Sequence, residues 1–238
     1  TNVGTITVAG SGSTGIQAGD GWYGSFNEST STFSPLDANI TNSGTIEVSG
    51  SSATGLSAGD AANAAGNNNS FVLNEAGATI NVTGENAIGL LISGNDVLDP
   101  TDSAVDGLYS FDNGGTVSGG ADASFLVLFR EPVAGSENRL RNRAGGRIEA
   151  DLTNQGSPLR GIAVMGTAGT EVIENAGTIV GDLMLGEGSN AFTNSGSFTG
   201  NLEAESGDDD VTNSGTFTGD LVLGEGDNTF SNSGTFAG

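Results

Sequence analysis

Apolar and polar residues alternate in short bursts along this chain, and the bursts recur. In the last third Phe217, Leu221, Leu223 and Phe230 fall on one side of a period-two pattern, with Thr216, Thr218, Val222, Thr229 and Ser231 on the other. Glycines at 215, 219 and 224 to 226 punctuate the bursts, so one unit reads as three short strands and three corners. The unit repeats every 19 residues without gaps: Asn175, Asn194, Asn213 and Asn232 open the phrases NAGTI, NSGSF, NSGTF and NSGTF. Asp182, Asn201 and Asp220 form a column, Leu183, Leu202 and Leu221 the next, and Phe192, Val211 and Phe230 another.

A three-stranded unit of this size cannot bury its inner face alone. Stacked units about 4.8 Å apart bring like side chains together as ladders. The pattern therefore predicts an all-β parallel β-helix, a solenoid of about 19-residue three-sided coils. The recurring Asn serves its turn either by local hydrogen bonding or as an inward amide ladder.

The N-terminal part uses a related unit. Residues 1–20 align without gaps to 41–60, a looser copy starts at Asn74, and further starts fall at Asn113 and Asn142. Steps between successive starts from Asn2 to Asn175 are 40, 32, 39, 29 and 33 residues. Each step is one coil plus an insertion, or the longest ones hide a degenerate second coil. The insertions are expected near residues 20–38, 60–70, 95–112, 130–140 and 153–171, all leaving one corner and sharing one side. The chain reads as a single fragment, 1–238, with looped coils over 1–174 and regular coils over 175–238. The final NSGTFAG stops partway through a unit and reads as a truncation. The first residues do not read as a signal peptide, and no apolar run is long enough to span a bilayer as a helix.

Composition narrows the chemistry. Of 238 residues 41 are Gly, yet 35% are apolar, more than disordered Gly/Ser sequence carries. A formal net charge of −23 argues against nucleic acid and anionic lipid as partners. There is no Cys and no His, which removes disulfides, thiol chemistry and imidazole-based triads or zinc sites.

The pattern NSGTI…GDL…LGxGxNxFxNSG resembles the passenger domains of bacterial autotransporters, the type V secreted surface proteins, over nearly the whole chain and most strongly from Asn175 to Gly238. The resemblance implies a right-handed β-helix, export to the bacterial cell surface, and a membrane link only through a translocator barrel missing from this sequence. It carries no GDSG-type protease motif.

Four constellations bear on function. Asp208, Asp209 and Asp227 sit at Gly-rich turns, where oxygen ligands suit Ca²⁺. The alternation of Gly and Asp resembles calcium-binding RTX repeats, but the period is 19 rather than nine, and a solvated acidic corner is the competing reading. All six basic residues are Arg, at 130, 139, 141, 143, 147 and 160. Of these Arg139, Arg141 and Arg143 are candidates to grip carboxylates or sulfates of an acidic glycan, or else to pair with Glu131, Glu137, Glu149 and Asp151. Trp22, Tyr23, Phe26 and Phe33 crowd the first insertion, and Tyr109 and Phe111 end the third, where aromatic faces stack on sugars or fold the loop back on its scaffold. Asp96, Asp99, Asp102, Asp106 and Asp112 would suit glycoside chemistry or a solvated turn.

These features predict a non-enzymatic structural or adhesive surface protein. Its stalk presents loops to a glycan, a cell-surface ligand or sister molecules. The alternatives are a polysaccharide hydrolase or lyase and a self-assembling fibre or matrix component.

Overall fold

A computed structural model describes residues 1–18, 24–27, 32–35, 39–58, 71–93, 110–123, 125–130, 137–154 and 161–238, the strands at 24–27 and 32–35 by backbone alone. It is a three-sided parallel β-helix. Each coil passes through three sheets in turn, and within each sheet the strands pair in parallel with the equivalent strands of the neighbouring coils.

Sheet 1 runs Asn39–Asn42, Phe71–Asn74, Phe111–Asn113, Glu137–Asn142, Thr170–Asn175, Ala191–Asn194, Asp210–Asn213 and Thr229–Asn232. Sheet 2 begins at Thr5–Val8 and ends at Thr235–Ala237, with nine strands among the described residues. Sheet 3 begins at Thr14–Ala18 and ends at Leu221–Val222.

The inner face of each sheet is a column of like side chains. Sheet 1 stacks Ile40, Val72, Phe111, Leu140, Ile173, Phe192 and Val211. Sheet 2 stacks Ile46, Ile80, Val117, Ile148, Ile179, Phe198 and Phe217, all fully buried. The three columns meet in one continuous core. Toward the C-terminal coils, phenylalanines replace the aliphatic residues and touch edge to face. Ring centroids are 5.3 Å apart for Phe192 and Phe198 and 4.7 Å for Phe198 and Phe217.

The Asn-x-Gly phrase marks the corner from sheet 1 to sheet 2, and both its residues have a structural reason. The amide of Asn194 is fully buried and donates to Asn213 Oδ1 at 2.8 Å, while its own Oδ1 accepts from Asn175 at 2.8 Å. The chain of amides is unbroken from Asn2 through 42, 74, 113, 142, 175, 194 and 213 to Asn232, with every donor pointing toward the next coil. Of the two roles open to this Asn, the inward ladder is the main one. The local bond coexists in some coils, as in Gly177 N–H donating to Asn175 Oδ1 at 3.2 Å. The glycine is needed because the neighbouring coil's backbone packs against it: a Cβ on Gly196 would lie 2.2 Å from Gly177 O.

Direct pairing of Thr5 with Thr45, and of each later start with the next, shows that even the 40-residue step holds one coil and no hidden second one. The first four extra segments leave the corner between sheets 3 and 1, as expected. The first contains an antiparallel hairpin, Gly24–Asn27 with Thr32–Pro35.

Three expected boundaries are corrected. Residues 111 and 112 belong to a sheet 1 strand, as do 137 to 140. The strand ENRLRN is disguised because its inward positions are Asn138, Leu140 and Asn142, only one of them apolar. The fifth insertion, expected over 153–171, leaves a different corner. It lies between Arg147–Glu149 of sheet 2 and Ile162–Met165 of sheet 3, and contains the short 3₁₀ turn Leu152–Asn154. The run IAVM is apolar throughout, so it carries no alternation to mark it as a strand.

Candidate functional site: an arginine cluster on the outer face of sheet 1

Among the described residues, the chemistry concentrates where the looped coils give way to regular ones. Phe111–Asn113 and Glu137–Asn142 are neighbours in sheet 1, with Asp112 opposite Arg141 on the outer face. Arg143 follows at the corner. Both guanidiniums fork onto the same carboxylate: Arg141 Nε donates to Asp112 Oδ1 at 3.1 Å and Arg143 Nε at 2.7 Å, and each adds an Nη2 bond to Oδ2. The Asp112 side chain is only 2% exposed, whereas those of Arg141 and Arg143 are 37% and 44% exposed. One strand further on, Glu174 sits opposite Arg141, so the column alternates in sign.

Burial pushes the Asp112 carboxyl up, and the hydrogen bonds and charges of Arg141 and Arg143 more than offset it, leaving its pKa below the ordinary aspartate value. A depressed carboxylate contributes stability that is present above its unfolded-state pKa and lost as pH falls through the folded one. Asp112→Asn is therefore expected to cost roughly 1 kcal/mol at neutral pH, the guanidiniums being partly solvated. The difference from wild type should shrink below about pH 4, where the wild type loses the same charge. Urea midpoints at pH 7 and pH 3 check both.

Arg141 and Arg143 thus find a carboxylate, but not one of those nearest in sequence. Arg139 pairs with Glu137 and Arg147 with Glu149, two of the expected partners, whereas Asp112 falls by sequence with the acidic loop. Its pairing with residues 29 and 31 positions away follows only from strand register. Phe111 is corrected from a surface candidate to a core residue: it is fully buried between Val72 and Leu140. Trp22, Tyr23, Tyr109, Glu131, Arg160 and the acids Asp96, Asp99, Asp102 and Asp106 lie outside the described residues. Phe26 and Phe33 are cross-strand partners in the hairpin, described by backbone alone.

Comparison with known proteins gives no matching family model, no matching curated protein and no matching solved structure. The functional reading therefore stands on the geometry and the sequence alone.

The calcium candidates do not converge. Asp208 and Asp227 are exposed, and Asp208 Oδ1 accepts the Asp227 backbone N–H at 2.8 Å. Asp209 is 2% exposed, turned into the coil rather than toward them. Among the described residues no group of three or more acidic side chains is arranged to hold a metal ion. These acids instead continue ladders. Asn190 N–H donates to Asp209 Oδ1 at 2.9 Å, and Asp209 N–H donates to Asn228 Oδ1 at 2.9 Å. A period of 19 residues at a tight turn signals stacking as readily as ligation, which is why the sequence leaves both open.

Proposed function

We propose that this chain is a non-enzymatic, structural and adhesive part of a surface protein of the autotransporter kind. The solenoid acts as a rigid stalk, and its inserted segments make contact with a glycan or cell-surface ligand. The observation that carries the reading is the placement of the insertions. Four consecutive coils each open at the same corner, while the core columns and the amide ladder run through beneath them without interruption. Such a frame holds variable segments in fixed register, and loops on a rigid scaffold are where contact residues concentrate.

Replacing residues 20–38, 60–70, 95–109 and 131–136 by tight turns with the sequence of residues 224–228 tests it. Attachment of the protein to target cells is expected to fall at least about tenfold, with the far-ultraviolet β signal retained. Undiminished attachment by the trimmed protein would overturn the proposal. Surface labelling of intact source cells tests the export half: a protease-accessible product is expected, and a product confined inside the cell would overturn it.

A further inference from the structure

Beside the arginine cluster, the outer face of sheet 1 holds a groove of about 590 Å³. Arg141 and Arg143 line it on one coil, Glu174 and Ala176 on the next, and Thr193 and Ser195 on the one after. The groove therefore runs along the solenoid axis across three successive coils, as the pairing of Arg141 with Glu174 and of Glu174 with Thr193 requires.

We propose that this groove is a binding site for a carboxylate-bearing saccharide unit of an acidic polysaccharide. The charge pattern motivates the anion. All six basic residues of a chain with formal net charge −23 fall within 31 consecutive positions, 130 to 160, and two of them line this groove. Asp112 is shared by both guanidiniums, so the three-residue cluster carries one net positive charge, and Glu174, opposite Arg141 on the next coil, leaves the Arg143 edge as the cationic end of the groove. A guanidinium has five N–H donors. Arg143 directs two to Asp112 and remains 44% exposed, so a solvent-borne carboxylate can reach its other edge.

The remaining lining selects for a sugar over a bare anion. Glu174 accepts from ring hydroxyls, and Thr193 and Ser195 both donate and accept. Ala144 and Ala176 leave room for an apolar ring face. Asp112 also holds both guanidinium planes in place before binding, which lowers the ordering cost. The groove has the volume of an ordinary small-ligand site.

This inference rests on the adhesive reading, since it names a ligand class for the same stalk, but it locates the contact on the coils and not on the loops. The test is calorimetric titration of the 238-residue chain with polygalacturonate and, separately, with dextran. Polygalacturonate should bind, increasingly weakly as salt rises, and dextran should not. Arg143→Gln and Ala176→Glu, the second of which leaves the Asp112 cluster intact, should each weaken binding by about tenfold or more. Arg147→Gln, on sheet 2, should change it less than about twofold.

Absence of polygalacturonate binding, equal binding of dextran, or an Arg147→Gln loss matching that of Arg143→Gln would overturn the assignment. The outcomes separate the two proposals. The loop-trimmed protein keeps the groove, so lost cell attachment with retained polygalacturonate binding supports both. A silent groove in a protein whose attachment depends on its loops removes this inference alone.

Discussion

Asn194→Ala should destabilise the C-terminal coils by about 3–5 kcal/mol, as much as truncating a buried phenylalanine. The Asn194 amide makes three bonds at once. It accepts from Asn175 Nδ2 at 2.8 Å, donates to Asn213 Oδ1 at 2.8 Å, and donates to Thr216 O at 2.9 Å, all in a fully buried position. Truncation leaves an amide N–H above it, an amide oxygen below it and a backbone carbonyl beside it. The amide N–H and the amide oxygen lack their partner in a space too apolar to hydrate them well, each such orphan costing about 1–3 kcal/mol, whereas the carbonyl loses its second donor and stays within the parallel pairing of sheet 2. Because the amides are aligned donor to acceptor through nine residues, each polarises the next, and the interruption is felt beyond its neighbours.

The same substitution at Asn232 is the control. That amide is exposed: it accepts from Asn213 Nδ2 at 2.7 Å on a side where water can take its place, and its own Nδ2 turns back to Gly234 O at 3.4 Å. Asn232→Ala should cost less than about 1 kcal/mol. Chemical-denaturation midpoints of the two variants, measured under one condition, decide the matter. Equal losses would mean that the ladder contributes nothing beyond a local turn bond. A solenoid's stability is a sum of coil and interface terms, so the Asn194 variant should also lose hydrogen-exchange protection first in the coils around residues 175–213.

What the sequence discloses follows from where its period is strict. From residue 175 onward the 19-residue repeat is gap-free, and the inner columns Leu183, Leu202, Leu221 and Phe192, Val211, Phe230 are columns in the structure. The recurring Asn is legible as a column too, but its bonding partners are not, because a turn bond and a ladder demand the same residue. Insertion edges fail for a different reason. Of the strands that follow an insertion, Glu137–Asn142 has Asn at two of its three inward positions, and Ile162–Met165 is apolar throughout, so neither shows the expected alternation. The arginine cluster is visible as a compositional island. Its anchor Asp112 is not, since the 29-residue gap to Arg141 becomes a contact only once the register Asn113 to Asn142 is known. The acidic turn shows the reverse case, a chemical signature that stacking produces as readily as ligation.

That turn yields a prediction of opposite sign: Asp209→Asn should stabilise the protein by about 1–3 kcal/mol at neutral pH. Asp209 occupies a column with Asn190 one coil before it and Asn228 one coil after, joined by backbone-to-side-chain bonds of 2.9 Å. Its Oδ1 is used in that bond, but Oδ2 is buried with no hydrogen-bond partner. In the two asparagines the equivalent atom is an Nδ2 that donates, from Asn190 to Gly188 O at 3.2 Å and from Asn228 to Leu223 O at 3.0 Å. The repeat places Gly207 O and Ala204 O at the corresponding positions for residue 209, so an amide there gains a donor with carbonyls within its reach while keeping the Oδ1 bond. It also removes a buried charge that stands next to Asp208.

Burial, and in lesser measure the charge of Asp208, raise the Asp209 pKa above the ordinary value despite the bonds from Asn190. For an acid raised in the folded state, ionisation costs stability above the folded pKa, and the cost is relieved as pH falls through it toward the unfolded value. The advantage of Asp209→Asn should therefore be full at pH 7 and shrink toward about pH 4, against the trend expected if the gain came only from a new hydrogen bond. Denaturation midpoints of variant and wild type across that range separate the two contributions. A variant no more stable than wild type at pH 7 would show that Asp209 is satisfied where it stands. A stable interior acid in an asparagine column would then have to be explained by solvent reaching Oδ2, and the coil wall at that corner would be open to water.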